Sequence, residues 1–177
     1  EWVWQRANHS NDGYHAPGHP AVYDWDSALQ TLRRLARAER NPAMMRLIEA
    51  AAVHGCPIHV DDEKVSLGEG RGSVCYPTAN LPMPAAVPWS QLSACPKVLV
   101  SGSNGKTTSV RLLSAILRAH GWHSGHSCTD GLFIDGTQIE GGDYSGPSGA
   151  RAILRHPQVE AAVLEAARGG LLRRGLA

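Results

Sequence analysis

The sequence predicts an α/β protein: a phosphate-loop-type parallel sheet flanked by helices over residues 97–177, preceded by a small α+β region. Three observations carry this. The apolar run KVLV at 97–100 ends in a glycine turn that leads into an amphipathic helical stretch, TTSVRLLSAILRAHG, at 107–121. Beyond it the apolar patterns follow the order strand, hairpin, helix, strand, as in a sheet built by crossovers. Before residue 77 the pattern is instead two helices followed by short strands.

Each element has a local cause. Residues 1–25 are rich in His, Gly, Pro, Asn and Trp without a period, and predict an irregular segment. Residues 26–76 predict the small α+β region. Within it, DSALQTLRRLARAE at 26–39 sets Leu29, Leu32, Leu35 and Ala36 on one helical face, with Asp26 as the N-cap. Asn41-Pro42 opens a second helix, closed at Gly55, with Met44, Leu47, Ile48 and Ala51 as its core stripe. PIHV at 57–60 predicts a strand, and EKVSL and SVCY around GEGRG predict a hairpin over 64–76. Asp61-Asp62-Glu63 is expected to be a solvated turn. Residues 77–96 contain Pro77, Pro82, Pro84, Pro88 and Pro96, which predicts a linker and a domain boundary. From 97 onward, Gly121 closes the first helix, HSGHSCT predicts the next strand, and LFIDGTQIE predicts a tight hairpin. Pro147 opens a helix to Leu154, and EAAVLEA predicts a buried strand.

Composition narrows the function. The chain has 177 residues, 42% hydrophobic and 19% charged, with a net charge of +1. No apolar run approaches the ~18 residues of a membrane span, and no signal peptide is visible. The first residue is Glu1 rather than Met, so the natural N-terminus is expected upstream. A net charge near zero argues against nucleic acid as a partner. Charge is uneven: 8 basic against 10 acidic side chains in 1–88, and 9 against 6 in 89–177, which favours an anionic ligand in the second half. The cysteines at 56, 75, 95 and 128 form no C-x-x-C pair and predict four reduced thiols in a cytoplasmic protein. Oligomeric state leaves no mark in the sequence.

The strongest chemical signal is Gly102-Ser103-Asn104-Gly105-Lys106-Thr107-Thr108 between a strand and a helix. Glycines let backbone N–H groups face phosphate oxygens, and the helix N-terminus adds positive potential. Lys106 can reach the β- and γ-phosphates of ATP, and the Thr107 hydroxyl is placed to ligate Mg²⁺. The general pattern wants glycine six positions ahead of the lysine, where Val100 stands, so this loop is a shorter one. The second signal is LEAARGG at 164–170, which puts Glu165 at the end of an apolar strand, beside where sheets of this class bind ligands. The residues alone leave it open as a Mg²⁺ ligand or a surface carboxylate. The third is the polar glycine loop GGDYSGPS at 141–148, able to turn N–H groups toward a ligand or to serve only as a connection. His120, His123 and His126 straddle Gly121 and Gly125 and do not predict a zinc site; neither do His15 and His19.

At these residues the sequence resembles the Mur ligase family, most closely the Mur-ligase-type central domain of cyanophycin synthetases. The short loop at 102–108 is similar to that family's G-T/S-N-G-K-T/S-T. CTDGLFIDGTQIEGGDYSGPSGARAIL at 128–154 and VEAAVLEAARGGLLRRGL at 159–176 resemble the segments that follow it in cyanophycin synthetases. A weaker resemblance joins 44–72 to the opening of the ATP-grasp portion of the same enzymes. The resemblance implies that 97–177 is the N-terminal part of a Mur ligase central domain, and that Glu165 matches a metal-binding glutamate. It implies an ATP-dependent amide or peptide ligase. A carboxylate is activated as an acyl phosphate and then attacked by an amine, with a small-molecule or peptide carboxylate and an amino acid as substrates and ATP and Mg²⁺ as cofactors. Lys106 and Glu165 are the expected catalytic pair; residues 102–108 would bind ATP, and Thr107 and Glu165 the metal. Family members continue past this point, so the chain is expected to be a fragment that does not complete ligation alone. A nucleotide-binding module without catalysis is the alternative. A phosphate-loop kinase or GTPase fits less well, because the loop is short and no N-K-x-D motif occurs.

Overall fold

The computed structural model describes residues 13–15 and 18–167. The chain divides into two compact units at Pro42/Ala43. In the first, helix α1 (Trp25–Ala38) is capped by Asp24, not Asp26: Asp24 Oδ1 accepts the Ser27 N–H at 2.8 Å, and Asp26 falls in the first turn. Ala28 is the buried residue of the helix, Leu29, Leu32 and Leu35 are half-buried, and Ala36 is exposed.

The second unit opens with α2 (Pro42–Val53), which lays Leu47 and Ala51 over a three-stranded antiparallel sheet of β1 (Ile58–Val60), β2 (Lys64–Leu67) and β3 (Val74–Pro77). The expected hairpin over 64–76 forms, with a 3-10 turn at Gly70–Gly72 in its bend. Residues 77–96 lie inside the unit. They make two further 3-10 turns, and Val87, Trp89 and Leu92 pack against Leu47 and Leu67. Proline density removes N–H donors without preventing burial of the apolar side chains between the prolines.

The larger sheet has the order β4-β8-β5-β6-β7. Strands β4 (Lys97–Val100), β8 (Ala161–Glu165) and β5 (Ser124–Cys128) run parallel; β6 (Gly131–Ile134) and β7 (Thr137–Gly141) add an antiparallel edge. The sheet is therefore mixed where the sequence predicts a parallel one. Asp135 and Gly136, at φ 49° and 81°, form the two-residue turn of β6–β7, and strands joined so tightly can only pair antiparallel.

Helices α3 (Lys106–Ala119) and α4 (Pro147–Leu154) cover opposite faces. Alternation along β8 decides this. Val163 packs with Val110 and Cys128 under α3, while Ala162 and Leu164 pack with Ile153 and Leu154 under α4. Glu165, two residues on from Val163, therefore faces the α3 side. Among the described residues, no helix is long and apolar enough to cross a membrane.

Candidate functional site

The site lies at the C-terminal ends of the parallel strands. Val100 pairs with Glu165, so the glycine turn after β4 starts beside the end of β8. Two bonds hold the junction: Ala166 N–H donates to Val100 O at 2.9 Å, and Ser101 Oγ to Ala166 O at 3.0 Å. Gly102, Ser103, Asn104 and Gly105 form an exposed turn. Gly102 and Gly105 take φ of 146° and 75°, which favours glycine, and a Cβ at Gly105 would meet nothing within 4 Å. The turn is open on its outer side. Gly105 is the N-cap of α3 and supplies no side chain, so the helix's first N–H groups keep no side-chain cap.

Lys106 is the first helical residue and folds back over the turn, with Nζ donating to Gly102 O at 3.1 Å. Thr107 turns inward. Its Oγ1 donates to Glu165 Oε2 at 2.9 Å and lies 3.0 Å from Thr129 Oγ1. Thr108 stands exposed on the same turn. Lysine, threonine and glutamate thus meet at one corner of the molecule. Glu165 is 1% exposed, and its Oε1 is buried without a hydrogen-bond partner. A buried carboxylate oxygen left unpaired is costly. That orphan, beside two hydroxyls, makes an oxygen-only donor set of the kind a hard divalent cation takes. One carboxylate and two hydroxyls do not fill six positions, so phosphate oxygens and water would have to complete the shell, the usual state of Mg²⁺. Among the described residues no three His, Cys, Asp or Glu side chains come together as a ready-made metal cluster.

Thr129 was not singled out from the sequence. Its signal was available: a hydroxyl just past the end of a parallel strand. Its neighbour Asp130 pairs with Arg111 of α3, whose guanidinium stands 6.0 Å from the Phe133 ring centroid. The loop 141–148 arrives beside both strand ends. Tyr144 N–H donates to Cys128 O at 3.0 Å, and Ala167 N–H to Ser145 O at 2.8 Å. The Arg168-Gly169-Gly170 part of the second sequence motif lies outside the described residues.

Away from the site, one expectation changes. Asp61 is not merely solvated: its Oδ1 accepts the Glu63 and Lys64 N–H groups at 3.1 and 2.8 Å, while Oδ2 pairs with Arg155 below α4. Among the histidines, His126 is buried under α3, stacked on Phe133 at 4.6 Å, with Nδ1 3.0 Å from Ser114 Oγ. Burial, helped by Arg111 and Arg118, pushes its pKa down to about 4. His123 instead pairs with Asp135 at 2.7 Å. All four cysteines are free.

No family model matches the chain. Over 131 residues it is 43% identical to the cyanophycin synthetases of Synechocystis sp. and Geminocystis herdmanii, and 42% identical to that of Crocosphaera subtropica. Each match covers 74% of this chain and 14% of the relative's own length. The chain is thus homologous to a short segment of cyanophycin synthetase, in line with the resemblance carried by its motifs.

Proposed function

We propose, proceeding from this homology, that the chain contributes the ATP-binding part of an acid–amino-acid ligase of Mur ligase type. The observation that carries the proposal is the convergence of Thr107, Thr129 and buried Glu165 beside an open glycine turn with Lys106 folded over it. In the overall reaction a substrate carboxylate oxygen attacks the γ-phosphorus, and the bond to the β–γ bridging oxygen breaks. ADP leaves and an acyl phosphate forms. An amine then attacks the acyl carbon, inorganic phosphate departs, and the amine gives up its proton.

The first step brings a carboxylate against a triphosphate, so the site must offset negative charge. Lys106 would exchange its bond to Gly102 O for the phosphate oxygens, and the uncapped N–H groups at the start of α3 would face the same oxygens. Thr107 and Glu165, with Thr129 next to them, would hold Mg²⁺, which when bound supplies positive charge at the γ-phosphate. ATP supply and four free thiols suit a cytoplasmic setting.

Calorimetric titration of the chain with ATP, with and without Mg²⁺, tests the proposal. Lys106→Ala is expected to abolish binding, and unchanged binding would refute the phosphate-loop role. In a complete ligase, losing one such contact costs ~10²–10³ in rate. The second reading is a module that binds nucleotide without ligating. ADP release in the presence of acidic peptides and amino acids separates the two.

A further inference from the structure

The loop between β7 and α4 touches the peptides on both sides of Thr129 and the chain just past Glu165. Tyr144 N–H holds Cys128 O at 3.0 Å, one residue before Thr129. Asp130 O, one residue after it, accepts Gln138 Nε2 at 2.9 Å and Gly142 N–H at 3.4 Å. Ser145 O accepts the N–H of Ala167, two residues beyond Glu165. One short loop therefore spans the two strand ends whose side chains converge on Thr107. The loop is closed from within by Asp143, whose Oδ1 accepts both the N–H of Ser145 at 3.0 Å and its hydroxyl at 2.7 Å. Ser145 is 6% exposed, so this turn is part of the packed structure and not a solvated flourish. The seat is tight on the other side as well: a Cβ at Gly149 would come within 2.1 Å of Tyr144 O.

We propose that Asp143 is a positioning residue for the oxygen cluster: by closing the 143–145 turn it sets the separation of Thr129 and Glu165, and hence the affinity of the site for a divalent cation. Asp143 does not touch the cation. It acts through Ser145, whose carbonyl fixes the backbone after β8, and through Tyr144, whose N–H fixes the backbone after β5. The inference rests on the metal-binding role given above to Thr107 and Glu165. Groups that orient metal ligands typically change affinity by ~10–100-fold when removed.

The test uses the full chain saturated with a non-hydrolysable ATP analogue and titrated with Mn²⁺ as the paramagnetic probe. Asp143→Ala is expected to weaken Mn²⁺ binding by ~10–100-fold. Amide exchange at Tyr144 and Ala167 should speed up in the metal-free chain, and affinity for the analogue without metal should stay unchanged. Asp143→Asn, which keeps the acceptor oxygen, should restore all three readouts. Ser145→Ala keeps the backbone bond and should give a smaller loss of Mn²⁺ affinity; it serves as the test should Asp143→Ala fail to fold. Wild-type Mn²⁺ affinity in both Asp143→Ala and Ser145→Ala overturns the inference, as does an Asn variant as impaired as the Ala variant, since charge rather than the turn would then matter. Glu165→Gln is the separate control. If it binds Mn²⁺ as wild type does, the metal site itself is misplaced, whatever Asp143 does.

Discussion

Thr107 links the glycine turn to the end of β8 through one hydroxyl. Thr107→Val should take the hydroxyl from Oε2 and so leave both oxygens of the buried Glu165 carboxylate unpaired. The penalty for an unsatisfied buried group predicts a loss of about 1–3 kcal/mol in metal-free chemical denaturation. Thr107→Ser, which keeps the hydroxyl, should recover most of it. The Lys-Thr pair was legible because its neighbours in sequence are its neighbours in space. Thr129 was not, because it lies 22 residues from Thr107 and meets it only when β5 and β8 pair. His126 shows the same limit. Its pKa near 4, against an ordinary 6.5, means that the folded chain favours the neutral ring. Stability from this group is complete above about pH 6.5 and is lost as pH falls toward about 4. A His126→Leu variant should show a flatter denaturation profile across that window.

Among the elements, β5 lies close against α4 and the chain that follows it. A Cβ at Gly125 would meet Val159 Cγ2 at 2.6 Å and Ile153 Cγ2 at 2.8 Å. Gly125→Ala should therefore destabilise by about 1–3 kcal/mol through overpacking. Val159→Ala in the same chain removes the nearer Cγ2 and should relieve part of that loss, a coupling that a double-mutant cycle measures. The helix over 147–154 and the hairpin in LFIDGTQIE were both legible, one from its opening proline and the other from its glycine turn, although the turn falls at Asp135-Gly136 and not at Gly136-Thr137. What the hairpin did to the sheet was not legible. An antiparallel pair on one edge leaves β4 on the other edge, bonded among the described residues only to β8, and Val98 and Leu99 stand 47% and 48% exposed. An apolar strand pattern reports the side chains, not which strands flank it.

Across the larger unit, one buried carboxylate joins the two sheets. Glu69, 1% exposed, follows β2 and pairs with Lys97, the first residue of β4, with Nζ 2.6 Å from each oxygen. His59 Nε2 lies 3.0 Å from Oε1, and Cys95 N–H donates to Oε2 at 3.2 Å. Burial alone would push the carboxyl up, but the hydrogen bonds from His59 and Lys97 outweigh it and hold the pKa at about 2, against 4.5 ordinarily. A depressed carboxylate stabilises fully above about pH 4.5 and loses that contribution as pH falls toward about 2. Acid denaturation of wild type against Glu69→Gln should therefore diverge most above that window and converge below it. Nothing in GEGRG marks Glu69 as buried, because its partners come from β1 and from beyond the proline-rich stretch.

The sequence by itself determined the local units: the glycine turn with its lysine and threonine, the helices with their apolar stripes, the two hairpins, and the strand that ends in Glu165. These follow from periodicity, glycine conformations and proline placement, all short-range properties. Only the tertiary structure decided that Thr129 joins Thr107 and Glu165, that the 141–148 loop spans their strand ends, and that Glu69 ties the small sheet to β4. Those pairings depend on which strands lie side by side and on which face each side chain emerges, and pairing is settled by burial and hydrogen bonding across long stretches of chain.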